Sequence, residues 1–292
     1  MRQHNSSIVL MGQVFAFSIV LVGCTNLDDV AGLTKLADGA QQALPAVVRD
    51  IPDSCERQNA FIANIPNAER PPQIEPQDCK LYRDVADHIT KDQSVLITYF
   101  DSLGKLASNT PLSYDSRIDR NVAAIDKLPN LSEQTIAASE AGQKIAKVLS
   151  DLATKGYRER KVNSIVERTD EPVQQLTSAL KSVILVDYSG ILANEATILD
   201  VYYRSPLEAA TAGERLTRIV VERQYEGDLA TLRSRRDAAV TYGKVMDNLA
   251  SMHHKLKVEA GQHADLRTIA TVIGPEVAAL KDAVTQLQAG VK

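Results

Sequence analysis

The chain has no tryptophan, and only four Phe and nine Tyr stand among its 292 residues. A β-sandwich or barrel favours aromatic and β-branched side chains, so this composition fits it poorly. No apolar-polar alternation runs long enough to mark a half-buried strand. The spacings GxGxxG, GxxxxGKS or GxxxxGKT, HExxH and GxSxG are all missing, which removes the common nucleotide-binding, zinc-protease and hydrolase motifs. Charge of one sign is not concentrated anywhere: 33 Lys and Arg are interleaved with 37 Asp and Glu, for a formal net charge of −4. A nucleic-acid surface needs a concentrated basic face, and a polybasic membrane surface needs the same, so both are excluded. There is no internal repeat at a solenoid period and no sustained heptad.

What is present begins at the N-terminus. Arg2 is followed by a mostly apolar stretch from Ile8 to Val22, then Gly23 and Cys24. The stretch is about 15 residues, broken by Gly12, Gln13 and Ser18, against the about 20 that a membrane span requires. Its layout is that of a secretory signal peptide. Leu21-Val22-Gly23-Cys24 resembles the lipobox of bacterial lipoproteins. The resemblance implies cleavage before Cys24, palmitate or another acyl chain on that cysteine, and a membrane partner reached through the lipid. Thr25 stands where an Asp would signal inner-membrane retention in that family. The implied location is therefore the outer membrane, facing the periplasm, with the inner membrane and surface display as the other placements.

Arg2 is the only charged side chain before Cys24, so the mature chain keeps 32 basic and 37 acidic residues. Cys55 and Cys79 remain, an even pair suited to an oxidising compartment. With no CxxC and no nearby His they lack a metal or redox signature, and a disulfide is expected. It would pin a loop holding Pro66, Pro71, Pro72 and Pro76.

The organisation read from these signals is a leader over 1–23, a lipidated N-terminus with first helices and the proline-rich loop over 24–76, and a helical bundle over 77–292. Leu27, Val30, Leu33, Leu36, Ala40 and Leu44 have helical spacing, with Pro45 and Pro52 as punctuation and a short helix over 53–64. Asp78 caps a long helix that ends at Asn109-Thr110-Pro111. Further helices are expected over about 115–127 and 131–156, then from Pro172, with Asp170 as cap, to Ser205-Pro206. Residues 214–260 contain no proline and predict one helix of about 70 Å. A last stripe from Leu266 to Leu287 carries a kink at Gly274-Pro275. The fold expected is all-α, an elongated antiparallel bundle of long amphipathic helices with one disulfide-pinned loop.

Two polar residues interrupt apolar stripes. Glu195 lies among Ile191, Leu192, Ile198 and Leu199, so it needs a cation, a donor or a proton. Either it contacts a ligand inside the bundle or it forms an interhelical ion pair with an arginine such as Arg223 or Arg236. His253 extends the stripe Tyr242, Met246, Leu249 and Leu256, and is read as a satisfied buried histidine or as a proton or metal group. No metal or other cofactor is implied, since His88, His253, His254 and His263 lack a ligand spacing. The Arg233–Arg236 run is an anion-contact candidate with nothing aromatic beside it. The function expected is a non-catalytic, membrane-tethered module that binds a protein partner or props an envelope assembly. A periplasmic immunity or inhibitor protein, or a small-ligand bundle using Glu195 and His253, is the alternative.

Overall fold

A computed structural model describes residues 28–107, 132–155, 162–209, 214–261 and 266–290. Among the described residues seven α-helices are formed: α1 (Asp28–Ala63), α2 (Cys79–Ala107), α3 (Glu133–Lys155), α4 (Val162–Ser182), α5 (Ser189–Ala209), α6 (Arg215–Gly261) and α7 (Leu266–Gly290). A π-helical stretch, Val183–Tyr188, joins α4 to α5 without a break, so the two form one rod. There is no strand among the described residues. The fold is all-α, as the periodicity predicts.

The helices close a ring in which α1 packs on α2, α2 on α3, α3 on α4, α4 on α6, α6 on α7, and α7 back on α1. α5 lies between α1 and α6. One continuous core fills the ring, built mainly from Leu, Ile, Val and Ala with Tyr99, Tyr188 and Tyr242 as its largest fully buried side chains. In a core of small aliphatics these tyrosines span distances that backbones do not, which is how α2 and α6 touch across the centre. The α4–α5 rod contains an 18-residue window apolar enough to cross a membrane by length and composition. A core helix passes the same test, and Leu176, Leu180, Ile184 and Leu192 of this rod are buried.

Several helix ends follow their sequence signals. Asp78 accepts a hydrogen bond from the Lys80 backbone N–H at 2.9 Å, capping α2. Residues 215–261 form one unbroken helix. The Cys55–Cys79 disulfide is formed, with Cα atoms 5.7 Å apart, and Asn59 brackets the loop by bonding both the carbonyl and the N–H of Gln77 at 2.9 Å. Ile74 of that loop seals against Ile62 and Ile198.

Four prolines behave differently from expectation: Pro45 and Pro52 lie inside α1, Pro172 inside α4 and Pro206 inside α5. Pro275 lies inside α7, within the last stripe as expected. An interior proline costs about 3 kcal/mol through a lost hydrogen bond and a ring clash. Burial of the neighbours offsets it: Leu44, Val47, Val48 and Ile51 of α1 are all buried, and fully burying each contributes about 1.5–3 kcal/mol. Asp170 accordingly does not cap a helix, since α4 begins eight residues earlier at Val162. The helix expected over 115–127 lies outside the described residues.

Candidate functional site

Glu195 is 1% exposed, in line with its place on the apolar stripe. Its Oε1 accepts hydrogen bonds from Arg57 Nε at 3.0 Å and Arg235 Nη1 at 2.7 Å, and its Oε2 accepts one from Ser54 Oγ at 2.5 Å. The cations are thus Arg57 of α1 and Arg235 of α6, not Arg223 or Arg236. Arg236 donates to the Leu192 carbonyl at 3.3 Å, and Arg223 is exposed. Adjacent helical residues point about 100° apart, so both arginines reach α5 but only Arg235 meets the Glu195 carboxylate.

The cluster extends to Asp50, which accepts from Arg57 Nη2 at 2.8 and 3.0 Å and from the Tyr188 hydroxyl at 2.5 Å. The π-helical stretch matters here. Its extra residue per turn changes the facing of everything after it, placing Tyr188 over Asp50 and Glu195 between the two arginines. Burial pushes the Glu195 carboxyl up, but hydrogen bonds from Arg57, Ser54 and Arg235 outweigh it and hold the group below its ordinary range. At Asp50 burial wins over its Tyr188 and arginine partners, and the carboxyl is raised. Two carboxylates and two guanidiniums thus neutralise one another while tying α1, α5 and α6 together.

His253 is fully buried. Its Nδ1 lies 3.1 Å from Asp170 Oδ1, and its Nε2 lies 2.7 Å from the Tyr99 hydroxyl. Thr169 Oγ1 is 2.5 Å from the same hydroxyl and also donates to the Ile165 carbonyl at 2.7 Å. Burial brings His253 down to about 4 against the pull of Asp170, so the imidazole is neutral at pH 7. Burial would raise Asp170, but Lys257 and His253 outweigh it and bring the carboxyl down to about 2. The network then assigns Nδ1–H as donor to Asp170 and Nε2 as acceptor from Tyr99. An acid, an imidazole and a hydroxyl in line form the arrangement of a proton relay. Both hydroxyls, however, are 0% exposed.

Glu195 and His253 do not share a site. Arg235, which touches Glu195, and His253 are separated by 18 residues of α6, about 27 Å at 1.5 Å per residue. Sequence reasoning missed Asp50, Arg57, Tyr99, Thr169, Asp170 and Tyr188 as partners. The legible signal was a polar doublet, Thr169-Asp170, inside an otherwise helical pattern. A third buried acid, Asp92, breaks the α2 stripe and has a single long hydrogen bond, from Ser139 Oγ at 3.5 Å.

Neither concavity gathers these groups. An apolar cavity of about 20 Å³ lies among α1, α2, α6 and α7, lined by side chains such as Phe100, Met252 and Val284. An open groove between α3 and α4, about 700 Å³, is lined by Gln134, Gln174, Gln175, Ser178 and Ser182. Among the described residues no set of three or more His, Cys, Asp and Glu side chains is placed to hold a metal. Cys24 and its leader lie outside the described residues.

The outer surface is more distinctive at one end. α5 and α6 form a hairpin whose base is a chain of rings: Phe61 to Tyr202 at 5.1 Å, Tyr202 to Tyr203 at 4.8 Å, and Tyr203 to Tyr225 at 5.0 Å. Beyond it, residues 214–224 are all exposed or half-buried, with Leu216 80% and Val220 62% exposed one turn apart. Comparison with known proteins finds no family model that matches the chain, and no curated protein or solved structure that matches it.

Proposed function

We propose that the chain is a bacterial lipoprotein, tethered through acylated Cys24 to the periplasmic face of the outer membrane, that binds a protein partner and performs no catalysis. The observation that carries this reading is the polarity of the bundle. α1 begins at Asp28, four residues after Cys24, and runs 36 residues, about 54 Å, to the end where Phe61 meets Tyr202. Leu216 and Val220, exposed near the start of α6, therefore stand at the end away from the start of α1.

Two further features support binding over chemistry. Glu195 and His253, the titratable groups best placed in the sequence for chemistry, are each held by their own hydrogen-bond partners inside the bundle. Leu216 and Val220, exposed one turn apart, are by contrast the kind of apolar pair that protein contacts use. The test has two arms. A fatty-acid probe should label the wild type and not Cys24→Ala; equal labelling removes the anchor. The full-length, anchored protein should capture an envelope protein, and the double substitution Leu216→Glu, Val220→Glu should abolish capture with helicity and Tm unchanged. Retained capture by that variant moves the binding surface elsewhere. Loss of biological activity in a folded, anchored Glu195→Gln or His253→Gln would replace the reading with an interior site.

A further inference from the structure

α2 and α3 meet along a seam of small residues. Ala138, Ala141 and Gly142 of α3 are buried there, and a Cβ added at Gly142 would lie 3.0 Å from Asp92 Oδ1. Asp92 is fully buried in this seam. Its Oδ1 has no hydrogen-bond partner among the described residues, and its Oδ2 has only the 3.5 Å bond from Ser139. Glu195, Asp50 and Asp170 each hold a cation within 3.0 Å. Among the described buried carboxylates, Asp92 alone has no cation within contact and is treated as though it were uncharged.

The groups around it support that treatment. On α2, Lys91 is the adjacent residue and points about 100° away. His88, one turn earlier, turns Nδ1 to the Asp84 carbonyl at 3.0 Å. From α3, Ser139 and Gly142 face Asp92, while Glu140, Lys144 and Lys147 are exposed. From α6, Tyr242 feels the Asp92 charge, and its hydroxyl accepts a hydrogen bond from Gln93 Nε2 at 2.7 Å. α4 aims Asp170 at His253, and α1 aims Asp50 and Arg57 toward Glu195.

We propose that Asp92 is a proton-binding site that sets how tightly α3 seats on α2, the seam closing when Asp92 carries its proton. A neutral carboxyl is tolerated in an apolar seam; an ionised one there lacks both a contacting cation and adequate donors. Opening the seam admits water and restores the ordinary carboxylate range. Burial, opposed only by the Ser139 bond and by Lys91, lifts the seated carboxyl to about 7 from 3.8. The opening equilibrium therefore rises about tenfold per pH unit between about 4 and 7 and levels off above. α3 also forms one wall of the Gln- and Ser-lined groove, so mild acid firms that groove and neutral pH loosens it.

Hydrogen–deuterium exchange of the full chain in detergent, at pH 5, 6 and 7, tests this with wild type and Asp92→Asn, a neutral side chain of the same shape. Taking the ratio of wild type to variant at each pH cancels the intrinsic pH dependence of exchange. For α3 amides that ratio should grow about tenfold per pH unit from 5 to 7. A ratio that is the same at pH 5 and pH 7 overturns the proposal. Should the variant not fold, carbon-13 titration of the wild-type aspartate carboxyls decides instead. One carboxyl should titrate near 7, and a spectrum in which every aspartate titrates below pH 5 overturns the assignment.

Discussion

The Tyr99 hydroxyl lies 2.7 Å from Nε2 of His253, joining residues 154 positions apart in the chain. α2 and α6 are not neighbours in the ring of helices, so this bond crosses the middle of the core. Thr169 and Asp170 complete it from α4, and three helices are thereby set in one rotational alignment.

His253→Gln should cost about 2–4 kcal/mol at pH 7, since Asp170 and Tyr99 would keep their burial and lose a shaped partner. The cost should depend on pH in a defined sense. The folded imidazole titrates near 4 and the unfolded one at its ordinary 6.5, so the unfolded chain takes the proton first on acidification. The stability contributed by the wild-type histidine is full above 6.5 and is lost as pH falls toward 4. Urea melts of both proteins at pH 7.5, 6 and 4.5 should show the wild-type advantage shrinking. Asp92 acts in the opposite sense over the same range, so the difference between variants is the quantity to follow.

Glu195→Ala should destabilise by about 2–3 kcal/mol in chemical denaturation. That is below the 3–5 kcal/mol of a fully buried pair, because the partner guanidiniums of Arg57 and Arg235 keep 31% and 19% exposure. Replacing Glu195, Asp50, Arg57 and Arg235 together with apolar residues of similar volume should recover most of the loss, since no charge of the cluster is then left without its partner. A quadruple variant less stable than Glu195→Ala contradicts this account.

Two glycine replacements should have opposite signs. Gly190 is exposed inside a helix, and a Cβ there meets nothing within 4 Å, so Gly190→Ala should stabilise by about 0.5–1 kcal/mol. Gly142→Ala has the same propensity gain but drives a methyl to 3.0 Å from Asp92 Oδ1, so the fully buried Asp92 must give way. A net loss is expected, read as a lower Tm, and Gly142→Ala raising Tm would show that the seam relaxes freely.

Cys55→Ser with Cys79→Ser should lower stability by about 3 kcal/mol, the loop-closure estimate for this separation. The proline-rich segment should then become a preferred cleavage site in limited proteolysis. An unchanged digestion pattern would mean that Asn59 and Ile74 hold the loop without the disulfide.

Much of the helical content is legible because it rests on relations within a turn or two. Asp78 caps α2 through its neighbour Lys80, the proline-free stretch from 214 forms one helix, and the burial of Glu195 and His253 follows from the stripes they interrupt. The partners of those residues were not legible. Arg57 is 138 positions from Glu195, Asp170 is 83 from His253, and the π-helical stretch before α5 changes the facing of Glu195 relative to α4.

By itself the sequence determined that this chain makes long amphipathic helices and that it carries one expected cysteine pair. Those properties depend on side-chain type and local spacing, which any window of the chain contains. Tertiary structure alone decided that helices run through Pro45, Pro52, Pro172 and Pro206, that Asp92 lies without a contacting cation, and that the acid–imidazole–hydroxyl line is sealed in the core. Each of these is settled by what packs against what. Burial summed along a whole helix exceeds the roughly 3 kcal/mol local cost of a proline, and a carboxyl's charge depends on the groups that distant segments bring to it.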